Sequence, residues 1–188
     1  MLNCLVEQSR HVKLEIINFI TTYNMEIQPI NSDVSAYRTL RQQLFTTDPF
    51  TCNADPAIAL QSNDEFWNIN NKRCLDNPDN QRFIAWDNET PIGVANVLKH
   101  NTGTAEIGGL YVLPPYRRQK VGSLLLASCI DFALQRHAHR AAGWLLDENT
   151  AAQELLSACN FELALPMQTR PWWNGMYKIE KLWATKLT

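Results

Sequence analysis

The spacing of apolar and polar positions changes along the chain, and each change marks an element. Over residues 1–24, Leu2, Leu5, Val12, Ile16, Phe19 and Ile20 recur among charged side chains. That pattern predicts an amphipathic helix, an N-terminal extension packed on the domain or on a second subunit. Residues 25–30 alternate as a first strand. Asn31, Ser32 and Asp33 then offer N-cap chemistry for a helix through Tyr37, Leu40 and Leu44. Residues 45–61 hold two Asp-Pro pairs and little periodicity, and read as a long loop of the functional or mobile kind. Ser62 as N-cap, with Glu65 as its capping-box partner, opens a second helix through Trp67 and Ile69 toward Leu75.

A hairpin follows, with strands over 82–86 and 91–99 around the turn Asp87-Asn88-Glu89-Thr90. Asn101-Thr102-Gly103 turns the chain into a strand over 104–113, and a long apolar helix covers 121 to about 136. The short apolar run 142–146 reads as a buried strand after a crossover helix. A short helix over 151–158 and strands over 161–165 and 175–183, around a Trp-rich loop 166–174, close the chain. The order β-α-α-β-β-β-α-β-α-β-β predicts an α/β fold, a mixed sheet flanked by helices. Residues 25–188 read as one domain, without internal repeat or interdomain linker.

Composition narrows the function classes. The chain of 188 residues is 45% hydrophobic and 19% charged, with a net charge of −2. That balance supports a sizeable core and gives no reason to expect nucleic acid as a partner. Five scattered cysteines without CxxC spacing read as free thiols in a reducing, cytoplasmic setting, not as disulfides or a zinc site. No apolar run approaches the roughly 18 residues of a membrane span. The first residues, with Glu7 early and no apolar core segment, read against a signal peptide. No histidine has metal-ligand spacing, so no metal is expected.

The positive charge is local. Arg117, Arg118, Gln119, Lys120, Val121, Gly122 and Ser123 lead from a strand into the long helix. Cations at a helix N-terminus oppose the helix dipole, so this placement makes sense with an anion bound there. Gly122 has no Cβ to keep a phosphate away. The stretch 105–132 resembles the acetyl-CoA-binding core of the GNAT superfamily of N-acetyltransferases, whose loop reads Arg/Gln-x-x-Gly-x-Gly/Ala. Here Lys120 stands in place of the first glycine. A second segment, Asn149-x-x-Ala152-x-x-Leu155-Leu156-x-x-x-Asn160-Phe161, is similar to that family's Asn-x-x-Ala-x-x-Leu-Tyr-x-x-x-Gly-Phe.

The resemblance implies a central, mostly antiparallel sheet flanked by helices, acetyl-CoA as cosubstrate, and pairing of the pantetheine arm with the backbone of Leu110, Tyr111 and Val112. It assigns the cofactor phosphates to residues 117–123 and a pantetheine contact to Asn149 and Ala152. The ordinary alternative for Asn149 is a helix N-cap, and the two are compatible. Glu106 is the general-base candidate, because an ammonium must lose its proton before attacking a thioester and a buried carboxylate with a raised pKa suits that task. An ordinary ion pair is its alternative. Period-two alternation places Glu106, Gly108, Leu110 and Val112 on one face, with the paired glycines leaving room for substrate or a bulge. Leu156 occupies the family's general-acid tyrosine position, so Tyr111, Tyr116, water or no dedicated acid remain open.

For the acceptor, the sequence offers Phe50, Trp67, Trp172 and Trp173, with Asp48 and Asp55, as a setting for a cationic amine. Arg170 would suit a carboxylate instead. The reading is an N-acetyltransferase acting on a small-molecule or peptide amine by direct transfer in a ternary complex, with a homodimer possible. Its rivals are another acyl donor or an O-linked acceptor, and a non-catalytic acyl-CoA sensor.

Overall fold

The computed structural model describes residues 25–51 and 54–187; the helix expected over 1–24 lies outside them. Seven strands form one sheet in the order β1-β2-β3-β4-β5-β7-β6. The strands are β1 (Met25–Pro29), β2 (Asn80–Asp87), β3 (Thr90–Lys99), β4 (Thr104–Val112), β5 (Arg140–Leu146), β6 (Glu162–Pro171) and β7 (Tyr177–Lys186). All neighbours are antiparallel except β4 and β5, which run parallel through the crossover helix α4 (Val121–Gln135). The helices α1 (Ser35–Thr47), α2 (Pro56–Gln61) and α3 (Asp64–Leu75) precede the sheet's main body, and α5 (Thr150–Ala158) follows β5.

Each sheet face has its own core. On one face Ile92, Val97, Ala105 and Ile107 meet Leu125, Leu126, Cys129 and Phe132 of α4, with Leu156 of α5 and Phe161 joining them. Leu125 and Leu126 are fully buried, which favours folding by about 2 kcal/mol each. On the other face Ile84, Val94 and Tyr111 meet Tyr37, Leu40 and Leu44 of α1, Ala59 of α2 and Trp67 of α3. Alternation along β2 sends successive side chains to opposite cores, while in β3 a register shift at Ile92 puts Ile92 and Val94 on opposite faces.

Four local expectations change. Residues 45–61 are not a continuous loop: α1 runs to Thr47, a 3-10 turn covers Pro49–Thr51, and α2 follows. The Asp-Pro pair at 55–56 is a helix start, with the Asp55 carboxylate accepting from the Ala57 N–H at 2.8 Å and Pro56 in the first turn. Asn63, not Ser62, caps α3, by accepting from the Phe66 N–H at 3.0 Å; the Ser62 hydroxyl donates to the Ile58 carbonyl instead. The Trp-rich stretch is mostly strand, since β6 pairs with β7 as far as Pro171 and steps around Leu165 and Pro166.

The fourth correction matters most. Val94 pairs with Tyr111 but Asn96 pairs with Gly108, so Gly109 and Leu110 together oppose Ala95. This β-bulge, with Gly109 at φ +59°, reverses the alternation of β4. Glu106 and Gly108 therefore share the α1 face with Tyr111, while Leu110 and Val112 pack toward α4. The expected common face of Glu106, Gly108, Leu110 and Val112 does not exist.

Candidate functional site

The bulge coincides with a parting of strands. Only Thr104, Ala105 and Glu106 of β4 pair with Arg140, Ala141 and Ala142 of β5. Each strand keeps its outer neighbour to its end, β3 for β4 and β7 for β5. Ile107 and Gly143 are still in close contact, and beyond them residues 108–112 and 144–146 face each other across a cleft that opens toward their C-terminal ends. A cleft between parallel strands at that end is where ligands bind in α/β sheets. The 117–123 turn, the start of α5 and the β6–β7 turn all meet the same end of the sheet.

The basic turn is built from strained backbone. Arg118 (φ +62°) and Lys120 (φ +58°) are both left-handed, which costs a residue with a Cβ about 1 kcal/mol each. Lys120 is the N-cap of α4, yet no side chain caps that helix. The first amides of α4 therefore point out of the helix end without a side-chain acceptor, next to three cationic residues. This is an arrangement for a polyanion.

The cations are not equivalent. Arg117 is turned inward: its Nε donates to the Val112 carbonyl at 3.0 Å, its Nη2 to Asp48 at 2.6 Å, and its guanidinium lies 5.7 Å from the Tyr111 ring. Arg118 pairs at 3.0 Å with Glu154 of α5, both side chains being well exposed, so an incoming phosphate can displace that partner cheaply. Gln119 donates to the Pro115 carbonyl. Val121 is buried in the core, so only its backbone faces the turn. A Cβ on Gly122 would lie 3.1 Å from Leu155 of α5, so this glycine lets α4 and α5 approach closely. Burial raises the pKa of the Cys159 thiol, and the neighbouring Ser123 opposes that shift.

Along the cleft, Asn149 is an N-cap, accepting from the Ala152 N–H at 3.2 Å. Gln153 from α5 donates to the Leu146 and Asp147 carbonyls and so fixes the end of β5. Glu106 is half exposed, not buried, and its carboxylate lies 3.2 Å from the His100 Nε2. Tyr111 is buried on the α1 face with its hydroxyl 2.8 Å from the Thr47 hydroxyl. The Tyr116 hydroxyl donates to Asp87; burial foremost, and then that carboxylate, hold its pKa above the ordinary value. Leu156 is part of the α4-side core.

The acceptor candidates are dispersed. Phe50 lies in the turn after α1, whose end also carries Asp48. Trp67 is enclosed in the α1-side core against Tyr37 and Phe66. Trp172 and Trp173 belong to the β6–β7 turn, where Trp172 is buried and its backbone N–H donates to the Met176 carbonyl. Arg170 lies 3.5 Å from Glu180, a buried carboxylate that also accepts from Gln168. Sequence reasoning passed over Glu180, Asp48 as the partner of Arg117, and Asn96, whose signal was a lone amide amid the apolar residues of β3. Among the described residues no group of His, Cys, Asp or Glu could hold a metal ion.

The model of the acetyltransferase (GNAT) family matches residues 40–161, and the chain belongs to that family of acyltransferases. Solved structures share the fold. An acetyltransferase of the GNAT family from Streptococcus pneumoniae aligns with TM-score 0.73 and 17% identity over 87% of this chain and 99% of its own. A ribosomal α-N-protein acetyltransferase in complex with coenzyme A gives 0.75 and 15% over 87% and 94%. Spermidine N-acetyltransferase from Vibrio cholerae, in complex with CoA and spermine, gives 0.68 and 19% over 86% and 95%. No sequence among the curated proteins matches the chain.

Proposed function

We propose that this protein is an acetyl-CoA-dependent N-acetyltransferase that moves an acetyl group to a primary amine by direct transfer in a ternary complex. The observation that carries the reading is the parting of β4 and β5 at the Gly109 bulge, with an uncapped, cation-rich helix start at its mouth. A coenzyme A thioester fits these residues. The open edge of 110–112 offers main-chain partners to a pantetheine arm, and the 118–123 turn offers amides and charge to its phosphates. Similar structures hold CoA, one of them with a polyamine.

Acetyl-CoA supplies an activated acyl group and a thiolate leaving group. Glu106 is the base that takes the ammonium proton, directly or through a water, and His100 passes it to solvent. Glu106 lacks the burial expected of it, and what supports its role is its opening onto the face it shares with Gly108, from which an amine can reach it. The new C–N bond forms as the C–S bond breaks, and the departing sulfur takes up a proton. Tyr111 is the donor candidate on β4, and its bond to Thr47 must open first; water is the simpler source. The thiols of Cys74, Cys129 and Cys159 are free, which supports a reducing, cytoplasmic setting.

The test is calorimetric titration with acetyl-CoA, followed by a thiol-release screen over polyamines, amino acids, aminoglycosides and peptides. Binding with release on one amine class is expected. Binding without release on any of them favours the acyl-CoA sensor, a reading that Leu156 in the tyrosine position keeps alive. Absence of binding would overturn the proposal.

A further inference from the structure

Asn96 lies in the middle of β3, opposite Gly108 and beside the bulge. The placement of Val94 and Tyr111 on the α1 face puts Asn96 on that face too, diagonal to Glu106 across the strand pair. Its carboxamide packs directly over Gly109: a Cβ there would lie 2.4 Å from the Asn96 Nδ2. Two independent features, the left-handed φ and this contact, therefore reserve position 109 for glycine. Yet the Asn96 Oδ1 is sealed from solvent and has no hydrogen-bond partner. Buried polar atoms are almost always partnered, and an orphan is destabilising. The residue as a whole is only half-buried, so the carboxamide can turn about Cβ–Cγ to present its oxygen.

Resting on the acyltransferase reading, we infer that Asn96 binds the acceptor: its amide oxygen takes an N–H of the amine that Glu106 deprotonates. The carboxamide stands across the strand pair from the base and against the bulge at which the cleft opens. A hydrogen bond there leaves another N–H for Glu106 and aims the nitrogen lone pair at the cleft. The oxygen that is orphaned in the free protein thereby gains its partner from the substrate once the carboxamide has turned. An apolar residue of similar size would remove the contact and the orphan together.

The experiment compares the full-length wild type with Asn96→Leu and Asn96→Asp, using spermidine and a peptide with a free N-terminal amine as probes. In Asn96→Leu the KM for the amine is expected to rise roughly tenfold, the worth of one such hydrogen bond. The KM for acetyl-CoA stays as in wild type and the melting temperature does not fall. Asn96→Asp, which keeps an oxygen acceptor, retains an amine KM near that of wild type. A clear fall in melting temperature for Asn96→Leu would make the side chain structural and overturn the inference. So would an unchanged amine KM, or a rise confined to acetyl-CoA, which would assign the oxygen to the pantetheine amides. Failure of the wild type to acetylate either probe or any amine of the wider screen, while binding acetyl-CoA, defeats the N-acetyltransferase reading and takes this inference with it. Transfer by all three proteins with equal amine KM defeats this inference alone.

Discussion

Single residues at the bulge and the basic turn carry more of the design than their neighbours. Gly109→Ala forces a Cβ into left-handed backbone, at about 1–2 kcal/mol, and against Asn96 as well. The expected result is a lower urea midpoint together with weaker acetyl-CoA binding, because the bulge is what parts β4 from β5. A variant with wild-type stability and affinity would show that the bulge is incidental. Lys120 tests the strain in the turn. Lys120→Gly and Lys120→Ala lose the same charge, but only glycine relaxes at φ +58°. The glycine variant should be the more stable of the two by about 1 kcal/mol in denaturant unfolding. The opposite order would mean that the turn is not held in this conformation.

At the scale of elements, Arg117 is a clip and not primarily a phosphate ligand. It joins the end of α1, through Asp48, to the last carbonyl of β4 and to the face of Tyr111. Arg117→Ala should therefore cost about 1 kcal/mol of stability, since the pair is partly exposed. It should weaken CoA binding less than the double change Arg118→Ala and Lys120→Ala. Calorimetric titration of both variants decides it, and a larger loss in Arg117→Ala would return that residue to the phosphate site. The clip shows what sequence could and could not yield. The hairpin of β2 and β3, the crossover helix α4 and the cap of α5 were legible, because periodicity and cap chemistry are local. The partner of Arg117 was not, because Asp48 is distant in the chain and met by folding alone. The faces of β4 were misread for a related reason: a bulge adds one residue to one strand, and alternation carries no sign of it beyond a Gly-Gly pair. The Asp55-Pro56 helix start was readable from its cap and proline, but two Asp-Pro pairs in an aperiodic stretch suggested loop first.

At the scale of the whole molecule, the described residues form one sheet with a core on each face, and three thiols are held within this packing. Cys129 is fully enclosed between α4 and the sheet, and burial pushes its pKa above the ordinary thiol value of 9.0. Burial raises Cys74 and Cys159 in the same direction, against smaller opposing effects of Arg82 and Ser123. Unfolding exposes these thiols, which then ionise near their ordinary value while the folded protein still keeps its protons. The unfolded state thus binds fewer protons once the pH exceeds about 9, and stability falls as pH rises, by up to about 1.4 kcal/mol per pH unit for the enclosed Cys129 and by less for the other two. Below the ordinary value both states are protonated and the thiols leave no pH dependence. Urea unfolding under reducing conditions at pH 7, 8.5 and 10 should show little difference between the first two and a clear loss at the third. Cys129→Ala should shrink that loss, and an equal loss in the variant would place its origin elsewhere. The same packing predicts that Cys74 and Cys129 react little with Ellman's reagent in the native protein at pH 7.5, so these two thiols add little to the sulfur counted in the transfer assay.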